Sequence, residues 1–492
     1  MSFLRLCRRH GAALLALSAA TSLASPPAAP GDPSPAAAPS SFRPVILFNP
    51  QAVSGSEILA GTAGTLTGAR LTPRTEKMQG ALEDWWNGPH MLGGDGNRFG
   101  PDRRGWFKDK GLVLDATYQG AFFGVVASEV GARGFWDGQL NFTGQLNLGD
   151  LLDEQRLAGV QFFIGARYRD GWDESNPNTF VLAQGMFNPS NWQSGTQFRM
   201  LNFGVLLDSR KMLPIENLIV LKGGWVQPQR EFADQPLSKL FLNNAVNSAK
   251  GIGGSIPFSS SASTWGGTLT IRPTKQVYLR NGLFLAYPGM TSSPNHGLMF
   301  EGNTDPAKNG LWYMGEVGFT PSFGSDQLQG KLALGGYYYG TPAGQDTWDG
   351  GRVNGQYGFY AQADQMCYRE PSPGEPGQLS PQGLSVFNLC FFTPGEAKSD
   401  VYPFYYQGGL AYTGLIPRRD IDIAMISLGY GYYSDETDAP KRSYTAVIEG
   451  GYRWQINGWL YAQPFFQYFA RPDGTDKVAN AGILGVMVGS VF

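Results

Sequence analysis

Histidine and cysteine are almost missing from this 492-residue chain, which holds three of each, scattered as His10, His90 and His296 and as Cys7, Cys367 and Cys390. Zinc clusters and Ser/His/Asp or Cys/His catalysis therefore have few participants, and neither a metal nor a cofactor is expected. Charge is scarce too. Lys plus Arg number 38 and Asp plus Glu 40, or 16% of the chain against roughly 25% in soluble domains. A net charge of -2 without a long basic run gives no electrostatic footprint for nucleic acid. Beyond residue 45 there is also no stretch of 18 apolar residues, so no membrane-spanning helix is expected. What is plentiful is glycine, at 67 residues, and aromatic side chains, with 31 Phe, 22 Tyr and 12 Trp.

Arg5, Arg8 and Arg9 precede the apolar run Gly11 to Ala24, and Ser22-Leu23-Ala24 places small residues three and one before a cleavage point. Residues 1–24 read as a secretory signal peptide. Residues 25–44 are rich in Pro, Ala and Ser and read as a spacer that cannot bury a core. Residues 45–104, with Leu82-Glu-Asp-Trp-Trp86 and the Gly-rich stretch around Gly93-Gly94-Asp95-Gly96, form an N-terminal extension or plug segment.

From residue 105 to 492 the dominant pattern has period two. Leu140, Phe142, Leu146 and Leu148 alternate with Gln139, Asn141, Thr143, Gln145 and Asn147. The same alternation runs through Leu112 to Gln119 and through Gln161 to Arg169. Thirteen further segments lie near 196–208, 217–228, 265–273, 276–287, 310–321, 327–340, 355–368, 383–393, 403–416, 420–433, 442–454, 458–470 and 478–492. This predicts an all-β transmembrane antiparallel barrel of about sixteen strands, each needing only about 9–11 residues to cross. Connections alternate between shorter ones, such as Pro273-Thr274-Lys275, Arg418-Arg419 and Asn457-Gly458, and longer ones at 171–195, 229–264 and 288–309. An even strand number puts both ends of the barrel on the periplasmic side. The last segment steps back from Phe492 through Ser490, Val488, Val486 and Leu484, with Gly485 and Gly489 on the other face. It resembles the C-terminal strand by which the barrel assembly machinery recognises outer-membrane proteins.

A barrel of sixteen strands leaves a water-filled lumen, so passage of a solute is the function expected. Alternation turns Gln139, Asn141, Gln145, Gln161, Gln463 and Gln467 inward, together with Asp115, Arg167, Arg169, Arg280, Glu316, Lys331, Glu449 and Arg453. Charges of both signs among many amides suit neutral polyols better than one class of ion. Trp312, Tyr337, Tyr461 and Phe465 on the same face offer surfaces for the apolar side of a sugar ring. A general diffusion porin has polar walls as well, and Glu316 and Glu449 keep open an outer-membrane hydrolase working with two carboxylates. A secreted β-protein without a pore is the third alternative.

Gly111-Leu-Val-Leu-Asp-Ala-Thr-Tyr118, a glycine-containing loop and Gly138-Gln-Leu-Asn141 resemble the first hairpin of the carbohydrate-selective porin family of Gram-negative outer membranes, the OprB type. Phe232-Ala-Asp-Gln-Pro236 with Phe241-Leu-Asn-Asn244 is similar to that family's pattern after the fifth strand. Ala361-Gln-Ala-Asp-Gln-Met366, Gln382-Gly-Leu-Ser-Val-Phe387, Glu449-Gly-Gly-Tyr-Arg-Trp454 and Trp459-Leu-Tyr-Ala-Gln-Pro464 continue the likeness, which spans about 105 to 492. The resemblance implies an outer-membrane channel through which small neutral carbohydrates such as glucose diffuse into the periplasm without energy input or cofactor. It implies that charged residues narrow the eyelet, a role carried here to Arg167, Arg169, Glu449 and Arg453. Outer-membrane lipid, lipopolysaccharide and the barrel assembly machinery are the implied partners.

Cys367 and Cys390 fall on neighbouring predicted strands in a compartment that permits disulfides. If Phe359, Ala361 and Ala363 and then Phe387, Leu389 and Phe391 all face lipid, the two sulfurs lie on opposite faces of the sheet, and only a β-bulge would let them meet.

Overall fold

The computed structural model describes residues 91, 107, 109–171, 178–183, 185–192, 197–209, 218–247, 249, 262–286, 309–340, 344–371, 379–398, 400–435 and 441–492. The leader, the spacer, the extension apart from Met91, and the two mature histidines lie outside these residues.

Sixteen strands cross: β1 (Leu112–Ala127), β2 (Arg133–Asn147), β3 (Val160–Gly171), β4 (Gln197–Asp208), β5 (Leu218–Val226), β6 (Thr264–Arg272), β7 (Val277–Ala286) and β8 (Gly310–Phe319). They continue as β9 (Leu328–Tyr339), β10 (Gln356–Arg369), β11 (Gly383–Phe392), β12 (Phe404–Thr413), β13 (Ile423–Tyr432), β14 (Tyr444–Gln455), β15 (Leu460–Ala470) and β16 (Ala481–Val491). Each pairs antiparallel with its sequence neighbours, and β1 closes the sheet on β16 with Thr117 opposite Val491 and Gly124 opposite Leu484. Closure leaves no sheet edge, the condition for strands to cross a bilayer. A two-residue piece, Ser322–Phe323, pairs with Leu328 and Gln329 inside the β8–β9 connection and is not a crossing.

One expectation is corrected at the first hairpin. The stretch between Tyr118 and Gly138 is paired strand for most of its length, with Gly120 opposite Gly138 and Val125 opposite Arg133. Glycines interrupt the apolar alternation there without interrupting the ladder. At Gly134 an added Cβ would stand 2.8 Å from the Phe122 ring, so the aromatic occupies the space the glycine leaves.

The outer face is apolar and bare, with Leu334 at 67%, Phe359 at 60% and Leu484 at 56% exposure, as a lipid-facing surface must be. In β11 the assignment of faces is reversed. Phe387, Leu389 and Phe391 are fully buried on the inside, so Asn388 and Cys390 point outward. Both cysteines are free. A bulge does occur beside Cys367, between Met366 and Tyr368, but Cys390 stands opposite Ala361. At about 3.3 Å per residue the six-residue offset from Ala361 to Cys367 separates the sulfurs by roughly 20 Å. Register, rather than the face, keeps them apart.

Candidate functional site

Two connections fold into the barrel. The larger follows β5: residues 227–247, called the belt below, include the short 3-10 turns Pro228–Arg230 and Pro236–Leu240. Proline at the start of each turn fixes φ and needs no N–H partner, which suits a chain that must bend repeatedly in a narrow space. The belt is held to the wall by one strand after another. Lys222 Nζ on β5 is 2.6 Å from Glu231 Oε1, a pair buried on both sides. Arg280 on β7 donates to the Glu231 carbonyl. Glu316 on β8 accepts the Ala233 N–H at 3.0 Å and the hydroxyls of Tyr278 and Tyr360 at 2.6 and 2.7 Å. Lys331 on β9 and Gln362 on β10 both donate to the Asp234 carbonyl, at 2.9 and 2.7 Å. Gln235 Nε2 donates to Asp364 Oδ1 and to the Asn388 carbonyl, at 2.8 and 2.9 Å. On β12, Tyr405 donates to the Ala245 carbonyl at 2.6 Å, and Gln407 Nε2 to the Val246 carbonyl at 3.2 Å. Glu449 on β14 accepts from two successive belt amides, Leu242 and Asn243, at 2.7 and 2.6 Å. Gln463 on β15 donates to the Leu240 carbonyl at 2.9 Å. These bonds satisfy backbone groups that a loop carried off the surface would otherwise leave bare.

Apolar packing completes the attachment. Leu237, Leu240, Phe241 and Val246 bury against Phe387, Ala411, Ile423 and Met425 of the wall. Close approach needs glycine at two inward positions: a Cβ at Gly282 would lie 2.7 Å from the Phe232 ring, and one at Gly429 would lie 2.9 Å from Ala245 Cβ. The smaller inward segment, 185–192, joins the belt through Asn191 N–H to the Leu242 carbonyl and Asn244 N–H to the Asn188 carbonyl, both at 2.9 Å. Gln467 Nε2 holds the Pro189 carbonyl at 2.9 Å.

The hydrogen bonds described for the belt thus run from β5 round to β15, and the wall opposite is β1–β4. There, cross-strand register lines up Asn141, Arg167 and Arg199 in one row and Gln139, Arg169 and Gln197 in the next. Arg167 Nε donates to Asn141 Oδ1 at 2.8 Å, and Arg169 Nη2 to the Asn191 carbonyl at 3.2 Å. A second polar track runs beside them: Gln139 Nε2 to Gln119 at 3.0 Å, Gln119 Nε2 to the Tyr461 hydroxyl at 2.7 Å, and the Arg453 guanidinium 4.5 Å over the Tyr461 ring. Arg453 Nε reaches Gln463 at 2.9 Å.

The residues singled out by alternation therefore separate into groups. Gln139, Asn141, Arg167 and Arg169 stand together on β2 and β3, and Arg453, Tyr461 and Gln463 on β14 and β15. Glu316, Lys331, Glu449, Gln463 and Gln467 fasten the inward segments. Gln145 sits nearer the short-turn end, opposite Val113 and Phe163. The stacking surfaces also divide. Trp312 packs on Phe284 and Tyr339, Tyr337 on Phe391 and Phe465 on Phe123, within one apolar cluster that also takes in Tyr461, whose hydroxyl in addition accepts from Gln119 and whose ring lies under Arg453. Reading by alternation missed Arg199, Arg230, Asp364 and Gln407. Arg199 was findable, since it lies one cross-strand step from Arg167, whereas nothing local marks Gln407 as a partner of Gln235, 172 positions away.

A closed sixteen-strand barrel, apolar outside, polar inside and narrowed by a segment folded into its lumen, is an outer-membrane porin. The chain belongs to the OprB family of carbohydrate-selective porins, whose family model matches residues 178–492. It is a sugar-selective channel of the outer membrane. The motifs from Phe232 onward fall inside the matched range, and the first hairpin lies before it. The chain is similar to Porin B of Pseudomonas aeruginosa, at 23% identity over 392 residues that cover 71% of this chain and 82% of that protein. The high-pH structure of Pseudomonas putida OprB has the same fold, with a TM-score of 0.70 at 20% identity, covering 82% of this chain and 99% of that one.

Proposed function

We propose that small neutral monosaccharides pass by facilitated diffusion along the β1–β4 side of the lumen, with neither energy input nor catalysis. The observation that carries this reading is the belt, which is bonded to strands from β5 round to β15 and leaves the amide and guanidinium groups of β1–β4 opposite, with Arg453 of β14 and Tyr461 of β15 beside them. Asn141, Gln139, Gln119 and Tyr461 exchange hydrogen bonds with hydroxyls as a sugar sheds part of its water shell. Arg167, Arg169 and Arg453 add donors of fixed geometry. Glu316 and Glu449 favour passage over hydrolysis, because both carboxylates are occupied by belt amides and, for Glu316, by tyrosine hydroxyls. Export by the 1–24 leader, and assembly through the strand that ends at Phe492, belong to the same reading, as does a surround of outer-membrane lipid and lipopolysaccharide.

The test is liposome swelling with purified protein, comparing glucose with a disaccharide and with a neutral amino acid. Glucose is expected to enter several-fold faster than the disaccharide. Rates that follow molecular size alone would leave a general diffusion porin, and sugar hydrolysis by the pure protein that disappears in Glu449→Gln would point to an enzyme.

A further inference from the structure

Outside the lumen, the lipid-facing wall has a hollow of its own. It lies on β12–β15 at the short-turn end, the end that faces the periplasm in barrels of this kind. Cross-strand register lines up two outward rows there, Tyr412, Ala424 and Tyr452 nearest the turns and Ile426, Gly450 and Phe466 one step deeper. Ala424 and Gly450 are the small members of these rows and sit diagonally next to each other on β13 and β14. A Cβ at Gly450 would run into the Phe466 ring, so the ring lies down over the glycine. Around these positions the wall sinks into an apolar groove of about 620 Å3, reaching from Leu410 to Leu484. Tyr412 and Tyr452 flank Ala424 at a separation of two strand spacings, about 10 Å, and both rings are fixed at their tips. Tyr412 donates to Glu370 Oε1 at 2.8 Å, and Tyr452 to Asp422 Oδ2 at 2.6 Å. The 414–422 turn, which joins β12 to β13, carries Arg418 and Arg419. Arg419 donates to both Asp422 oxygens, at 2.7 and 2.8 Å, and through Nη2 to the Gln455 carbonyl at 2.7 Å, with its guanidinium 5.8 Å from the ring of the outward Trp454. That places it on the outer rim beside Tyr452, with Nη1 outside these bonds. Arg418 and Asp420 are exposed, and the Arg418 side chain bonds to none of the described residues. An apolar groove therefore ends in guanidinium groups at its Tyr452 side and a carboxylate, Glu370, at its Tyr412 side.

We propose that this groove holds one phospholipid of the periplasmic leaflet, with an ethanolamine headgroup. One acyl chain lies over Ala424 and Gly450 between the two tyrosines, the phosphate meets Arg418 and Arg419, and the ammonium meets the carboxylate on the Glu370 side. A lipid tail gains no hydrophobic free energy by leaving other tails, so a retained lipid is held by packing and by its headgroup. Elsewhere the outer wall bulges toward the bilayer and touches a neighbouring chain on one side, whereas the groove touches it on its floor and both flanks, and the many small dispersion contacts add up. Guanidinium suits phosphate because it binds through two parallel N–H bonds and keeps its charge throughout the physiological range. A headgroup that carries both signs matches a rim that carries both, while a purely anionic one would set Glu370 and Asp420 against a like charge. The site is separate from the lumen and does not depend on which solute passes.

The experiment is native mass spectrometry of the purified protein released from detergent micelles, with dioleoyl phosphatidylethanolamine, dioleoyl phosphatidylglycerol and lipid A added in turn at equal concentration. The barrel is expected to keep one phosphatidylethanolamine at a collision energy that strips most of the phosphatidylglycerol, with bound fractions differing threefold or more. Ala424→Phe fills the groove from a lipid-facing position and should lower the bound fraction about tenfold, and Arg418→Gln should lower it about threefold. Both variants should keep the heat-modifiable gel mobility of the folded barrel. Should Ala424→Phe fail to assemble, Arg418→Gln carries the test from the exposed turn. No retained lipid in the wild type, or retention that Ala424→Phe leaves intact, overturns the site. Phosphatidylglycerol or lipid A held as firmly as phosphatidylethanolamine overturns the headgroup assignment, as does an Arg418→Gln variant that retains phosphatidylethanolamine like the wild type. A lipid-free oligomer that Ala424→Phe turns into a monomer would put a second copy of the chain on this face and overturn the lipid.

Discussion

On β8–β15 and on β2–β4 the barrel presents the same kinds of side chain to its interior and puts them to opposite uses. Glu316, Gln362, Glu449 and Gln463 on the first wall hold backbone N–H and C=O groups of the belt at 2.6 to 3.0 Å. Asn141, Arg167 and Arg199 on the second stand in one cross-strand row, with Arg167 donating to Asn141 on its own wall, while Arg169 in the next row donates to the Asn191 carbonyl of the smaller inward segment. A charged residue that points into a porin lumen is therefore not by that fact part of the solute's path.

The strongest way to break this comparison is to remove the belt. Replacing residues 236–246 by a short Gly/Ser link should raise single-channel conductance several-fold and bring disaccharide swelling close to that of glucose. Unchanged conductance would mean that the aperture is set elsewhere. Next in size is Lys222→Met. It leaves Glu231 buried without its partner, a change worth about 3–5 kcal/mol in comparable pairs, and should lower the temperature at which the folded barrel loses its fast mobility on gels. Lys222→Met combined with Glu231→Leu should recover most of that loss.

Glu449→Ala then separates the two walls directly. It strips the acceptor from two consecutive amides, at about 1–3 kcal/mol for each donor left unsatisfied. The expected readout is a smaller glucose-to-disaccharide ratio with unchanged ion selectivity, whereas Arg167→Ala should alter ion selectivity and leave the size cut-off in place. If both variants change the same readout, the division between anchor and lining fails. The smallest effect is expected from Cys367→Ser with Cys390→Ser, which should leave the electrophoretic mobility of the unreduced barrel unchanged.

Much of this was legible in the sequence, and the parts that were not share a cause. Period-two alternation located all sixteen crossings, because lipid on one side and polar lumen on the other impose a contrast at every second residue. It failed where the contrast fails. In β11 Leu237 and Phe241 of the belt cover Phe387, and Leu389 and Phe391 join the larger apolar cluster inside the barrel, so all three are greasy inward and Asn388 faces out. Between Tyr118 and Gly138 glycine left no contrast to read, and the strands run on all the same. The inward residues of the candidate site were found by face, but their division into anchors and lining was not, since Glu449 and Arg167 look alike in an alternating pattern.

The sequence by itself determined a closed, amphipathic sheet of sixteen crossings and the polar character of its interior, because both follow from a local period that neighbouring strands must share. Only the tertiary structure decided which polar residues the solute meets. That choice depends on hydrogen bonds between positions separated by 83 residues, as for Ala233 and Glu316, or by 207, as for Leu242 and Glu449. No local pattern encodes such distances, and two segments folded inward were enough to convert much of a mixed lining into anchors.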